Sequence, residues 1–157
     1  MDFSGNVGRD GVEASFIEPR LYRKISSRIP ILCVDLIITD ELGKYLLVKR
    51  KNHPRRGQYW VVGGRVLLGE SPESAAHRKA IEEIGLELVS PRMIGMMSDV
   101  FDRNKQQRCE CHTVSIVYSG CLEYGAVKLD SQSSDYMWAD ELPNRFVSRL
   151  RLLDRLR

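Results

Sequence analysis

Residues 63–86 read GGRVLLGESPESAAHRKAIEEIGL, and the passage from paired glycines through a capped helix to a closing glycine decides how the rest of the chain is arranged. The apolar run Trp60, Val61, Val62 precedes it, so a strand is expected to end in a turn at Gly63 and Gly64, where bare backbone can approach a ligand closely. Ser71 is a good N-cap, Pro72 suits the first helical position and Gly85 is a C-terminal stop, which predicts a helix over 72–84. Within it Ala75, Ala80, Ile84 and, at the margin, Ala76 face a core, while Arg78, Glu82 and Glu83 fall on another face. Two adjacent carboxylates beside a glycine carbonyl are hard oxygen donors of the kind Mg²⁺ takes. Arg78 stands four residues before Glu82 and can hold it in one orientation.

Gly64, Glu70, Arg78, Glu82, Glu83, Gly85 and Leu86 stand at the spacing of the Nudix box, and the chain resembles the Nudix hydrolase family. One position departs: Lys79 stands where the family has a Glu that serves as a metal ligand or general base. Residues from about Pro19 to Trp138 resemble the GDP-mannose mannosyl hydrolase branch more closely, through PILCVDLII (30–38), VKRKNHPRRGQYWVV (48–62) and QSSDYMW (132–138). That branch also lacks the Glu replaced by Lys79. The resemblance implies an α/β fold, the Nudix-type α/β/α sandwich, with a mixed sheet, the box helix on one side and a C-terminal helix. It implies hydrolysis of a nucleotide sugar such as GDP-mannose by substitution at the sugar carbon, with Mg²⁺ and a His that follows a Gln. Here Gln132 is followed by Ser133, so the branch's base is missing. The resemblance also implies Asp35 near the nucleotide and Arg50 and Arg65 on the diphosphate.

Outward from this stretch, the chain of 157 residues is one domain by length, and 43% hydrophobic residues is ordinary for a globular protein. A net charge of +3 is well short of a nucleic-acid-binding profile. No stretch approaches the ~20 apolar residues of a membrane span, and MDFSGNVGRDG lacks the basic-then-apolar order of a signal peptide. A cytoplasmic enzyme is expected, binding a nucleoside diphosphate sugar or related small molecule, with no nucleic acid and no membrane as partner and with a homodimer left open. Residues 1–18 read as a flexible N-terminal tail before a single domain at 19–157. Cys33 and Cys121 sit in apolar runs and read as buried small hydrophobes. Cys109, Cys111 and His112 lack the ligand count and spacing of a zinc site.

A short helix from Pro19 to about Ser27 is expected to pack on a sheet edge. Ile31 to Thr39 reads as a buried strand with Asp35 inside it, joined by a turn at 40–44 to a strand at Tyr45 to Arg50, the two forming a hairpin. An unpaired carboxylate there is costly to bury, so Asp35 needs a partner or a wet face. In the basic loop 49–59, Arg50 is assigned to phosphate and Arg55 and Arg56 to solvent. Strands follow at Met93 to Ser98 and His112 to Leu122, around a polar loop of about 13 residues that reads as a lid or binding loop, with Asp99 and Asp102 solvated. A strand at Tyr136 to Trp138 and an amphipathic helix from Asn144 to Arg157 complete the order.

The expected site combines the Gly63 carbonyl, Glu82, Glu83 and Gln132 as ligands of Mg²⁺, or of Mn²⁺ in its place, with Asp35, Arg50 and Arg65 as substrate contacts. Arg50, Arg65 and Glu83 are the expected catalytic groups, joined by Asp102 as candidate base; His112 and Asp135 are the other candidates. The expected activity is Mg²⁺-dependent hydrolysis of a nucleoside diphosphate linked to another group. The alternatives are a pyrophosphatase cleaving a P–O bond, and a catalytically impaired binding domain that keeps the pocket.

Overall fold

The computed structural model describes residues 17–101, 111–122 and 124–153. The N-terminal tail up to residue 16, together with Asp102, Cys109 and Glu110, lies outside the described residues. The elements run α1 (Pro19–Ser26), β1 (Ile31–Ile38), β2 (Tyr45–Arg50), β3 (Tyr59–Trp60), β4 (Val62–Arg65), α2 (Pro72–Ile84), β5 (Leu88–Phe101), β6 (Cys111–Leu122), β7 (Ser133–Ala139), α3 (Asn144–Arg149) and β8 (Arg151–Leu152).

Two sheets form. One has five strands in the order β4-β1-β6-β5-β8 and the other three in the order β3-β2-β7. The larger sheet is mixed: β1 runs parallel to β6, with Ile31 opposite Thr113 and Ile38 opposite Gly120, and its other pairs are antiparallel. With α2 and α3 packed on these sheets, the architecture is the α/β sandwich of Nudix type expected from the sequence. Helix α2 forms as its caps dictate: the Ser71 hydroxyl accepts from the Ser74 N–H at 3.1 Å, and Gly85 closes the helix at a φ of 69°. Ala75, Ala76, Ala80 and Ile84 are fully buried against Val34, Leu36 and Ile38 of β1. A second cluster collects Ile37, Leu47, Trp60, Val61, Met97, Val117 and Phe146, where Trp60 meets Phe146 edge to face at 5.5 Å.

Several expectations from the sequence are corrected. β1 and β2 are not a paired hairpin. The turn is there, with the Asp40 carboxylate accepting from the N–H groups of Leu42 and Lys44, but only Thr39 bridges to Tyr45. Each strand then finds better partners in a different sheet. Gly63 and Gly64 do not end a strand; they lie within β4, opposite Asp35 and Val34. β5 extends well beyond Met93 to Ser98, because register shifts on either side of Arg92 and Met93 absorb Ser90 and Pro91 on one side and Ile94 on the other. Asp99, Val100, Phe101 and Cys111 of the expected loop are therefore strand residues, and the rest of that loop lies outside the described residues. The terminal helix stops at Arg149, since Leu150 turns extended and Arg151 and Leu152 add an edge strand to β5. Cys33 is half-buried and Cys121 is exposed, so neither is a core thiol.

Candidate functional site

A cavity of about 540 Å³ opens where α2, the β4 edge, the inner face of the large sheet and the loop after β2 meet. Asp35, Arg50, Gly63, Arg65, Glu82, Glu83 and Gln132 all line it, so the structure brings together seven residues singled out in the sequence. Asp102 lies outside the described residues. His112 does not line the cavity, because it alternates with Thr113, which does; its Nε2 meets the Ser98 hydroxyl at 2.8 Å. Asp135 is also elsewhere: it is exposed and accepts a hydrogen bond from the Tyr59 hydroxyl at 2.7 Å.

The carboxylate wall is built from α2 outward. Arg78 donates through Nε and Nη2 to both oxygens of Glu70 at 2.7 and 2.8 Å, and through Nη1 to Glu82 at 3.0 and 3.1 Å. Its Nη2 also donates to the Arg65 carbonyl at 3.0 Å, which fastens the helix to the end of β4. Burial works against the Glu70 charge, but Arg78 and the Leu67 N–H prevail and hold its carboxyl below the usual range. Lys79 lies beside this fork. Its ammonium sits 2.8 Å from Glu83 Oε1 and 3.1 Å from Glu82 Oε2. Burial opposes that charge too, yet Glu83 and Glu82 outweigh it and keep the lysine above its ordinary pKa. Gln132 reaches the site because the segment before it docks on the end of α2. The N–H groups of Lys128 and Asp130 donate to the carbonyls of Ile84 and Glu83, and Asp130 in turn accepts from the backbone and side chain of Gln132.

Two arginines, Arg50 and Arg65, line the same cavity. The loop carbonyl of Pro54 accepts from Arg50 Nε at 3.2 Å, and the Arg65 guanidinium lies over the Tyr22 ring at 5.4 Å, which joins α1 to the β4 edge. Asp35 is the carboxylate of the cavity floor, 8% exposed. Burial raises it to about pKa 7, and a Ser115 hydrogen bond with the charges of Arg50 and Arg55 offsets this in part. Cys33 beside it is an inert thiol, pushed up to about 12 by burial.

Sequence reasoning assigned Arg55 and Asp99 to solvent, and both assignments are overturned. Asp99 is 1% exposed and is ion-paired to Arg55, Arg145 and Arg149. The Arg55 guanidinium carbon lies over the Trp60 ring at 3.4 Å from its centre and 5.0 Å from that of Phe101. Burial lowers its pKa to about 10, still well above neutrality, with Asp99 opposing. For Asp99 a signal was present: it stands two residues from both Met97 and Phe101 and so shares their inward face. No local pattern marks Arg55.

Among the described residues no three His, Cys, Asp or Glu side chains converge to hold an ion by themselves. Mg²⁺, however, characteristically takes one or two carboxylates and completes its shell with water and substrate phosphate. Glu82 and Glu83, with neighbouring backbone and amide oxygens, fit one such cation in donor type.

A family model described as NUDIX domain matches residues 30–151. The chain is 29% identical over 114 residues to the Low-salt glycan biosynthesis protein Agl8 of Haloferax volcanii, covering 72% of each. It is 34% identical over 116 residues to an ADP-ribose pyrophosphatase of Methanocaldococcus jannaschii, covering 73% of this chain and 65% of that one. The crystal structure of a MutT NUDIX hydrolase from Burkholderia pseudomallei superposes with a TM-score of 0.64 at 26% identity, covering 74% of this chain and 89% of that one.

Proposed function

The chain belongs to the Nudix hydrolase family, whose members generally use divalent metals, and on that premise we propose that it hydrolyses a nucleoside diphosphate linked to a sugar. The observation that carries this reading is the gathering of opposite charges in one cavity, the carboxylates of Glu82 and Glu83 with the guanidinium groups of Arg50 and Arg65. A diphosphate between them brings its own negative charge to the arginines, while a cation held by the carboxylates neutralises the leaving group. Similarity to a glycan biosynthesis protein supports a sugar as the second group.

Glu82, Glu83, the Gly63 carbonyl and Gln132 would hold the cation, Mg²⁺ by preference and Mn²⁺ in its place. When bound, it supplies charge neutralisation on the leaving diphosphate. Arg50 and Arg65 clamp phosphate oxygens, for which the guanidinium fork is suited. Asp35 orients the substrate from the floor and, being half-protonated near neutrality, is also suited to accept a proton from water. Asp102 remains the second candidate for that step.

The reading is tested by offering nucleotide sugars, GDP-mannose included, with Mg²⁺ in ¹⁸O-labelled water. Label in the released sugar is the expected result and means attack at carbon. Label in a phosphate product favours the second reading, P–O cleavage, which the similarity to an ADP-ribose pyrophosphatase recommends. Tight nucleotide binding without products would leave a binding domain.

A further inference from the structure

We propose that Lys79 is a resident cation of this site, standing in for one divalent ion between Glu82 and Glu83, so that the chain accepts a single divalent cation. The inference rests on reading the site as one that takes a divalent metal. It starts from how Lys79 is placed. A helix lysine four residues from a glutamate is ordinarily a mobile surface pair. Here the lysine side chain is 9% exposed and Glu83 is buried with it.

The placement has a cause on the neighbouring strand. The lysine stem lies across Gly64, where an added Cβ would come within 2.8 Å of Lys79 Cε and 3.2 Å of Cδ. The bare glycine therefore makes the groove that the stem fills, and the ammonium is delivered to Glu83 and Glu82 from a fixed direction. On the other flank Arg78 engages Glu70 and Glu82. Three carboxylates thus face two fixed cations, and the single negative charge left over is already exceeded by one dication, so a second beside it is strongly disfavoured. An amine so held donates no lone pair to a metal and repels any ion brought beside it. A glutamate at position 79 would reverse both terms at once, adding a donor and removing a charge.

The test counts ions instead of turnover. Mn²⁺ binding to the full chain is measured from the paramagnetic resonance of the free ion, without nucleotide, for the wild type, Lys79→Glu and Lys79→Met. One ion per chain is expected for the wild type and for Lys79→Met, tighter in the latter by about tenfold or more because the competing charge is gone. Two or more are expected for Lys79→Glu. Two ions in the wild type, or one ion at wild-type affinity in Lys79→Glu, would overturn the proposal. Lys79→Met keeps an unbranched stem over Gly64, so its affinity decides the matter if Lys79→Glu does not fold. No ion in any of the three proteins removes the metal reading of the site and this proposal with it. The expected counts in a chain that hydrolyses no nucleotide sugar would remove the substrate reading alone.

Discussion

Glu83 and Glu73 stand at opposite ends of α2 with the same side chain in different surroundings, and the contrast isolates the site from the helix. Glu83 is buried on the cavity wall, whereas Glu73 is exposed in the first turn. Glu83→Gln should lower kcat by ~10²–10³, the cost of losing one positioned charge at a reacting centre, while Glu73→Gln should leave it near wild type. Steady-state rates on any accepted substrate check this; equal losses would misplace the site. Asp35 makes a second prediction. Its carboxyl is raised from 3.8 to about 7 by burial, so the folded state binds a proton that the unfolded chain releases. The stability associated with it is full below about pH 4, falls as the pH rises towards 7 and is constant beyond. Asp35→Asn should therefore stabilise the metal-free protein at pH 8, by on the order of 1–3 kcal/mol, and the gain should vanish as the pH approaches 4. Urea unfolding in EDTA at the two pH values reads it; a gain independent of pH would mean that Asp35 is not protonated in the fold.

At the level of elements, short-range rules were legible and long-range pairing was not. The bounds of α2 followed from Ser71, Pro72 and Gly85 because capping is settled within one turn. The extent of β5 did not, because a strand that carries Pro91 and Gly95 reads as broken unless its partners are known. The same applies to the end of α3: Leu150 leaves the helix because β5 offers an edge, not because of any local stop. Gly95 is what that edge requires, since a Cβ there would overlap the Arg151 carbonyl oxygen. Gly95→Ala should detach β8 and destabilise the protein by ~1–3 kcal/mol. Amide exchange should show Arg151 and Leu152 losing protection while α2 keeps its own.

Across the whole molecule, the site residues legible in the sequence were those inside the box or in the segments that resemble the family, Asp35, Arg50 and Gln132 among them, and those that escaped were set by contacts between distant segments. Arg55 and Asp99 are 44 residues apart, and their pairing joins the loop after β2 to β5 and, through Arg145 and Arg149, to α3. Asp99→Asn would leave the Arg55 guanidinium buried without its counter-charge, at a cost of about 3–5 kcal/mol in urea unfolding. Replacing Asp99 and Arg55 together with leucine should cost much less, and comparable losses would mean that packing, not charge, holds this junction. The parallel pairing of β1 with β6 reaches further still, since residues 31–38 wait for 113–120 while β2 waits for β7. On a ribosome, α2 therefore emerges after β1 and β4, on which it packs, but long before β6 and β7, the partners that β1 and β2 await. Arg50, Arg65, Glu82 and Glu83 are thus made before either sheet can close, and a chain cut short after β5 has neither sheet complete.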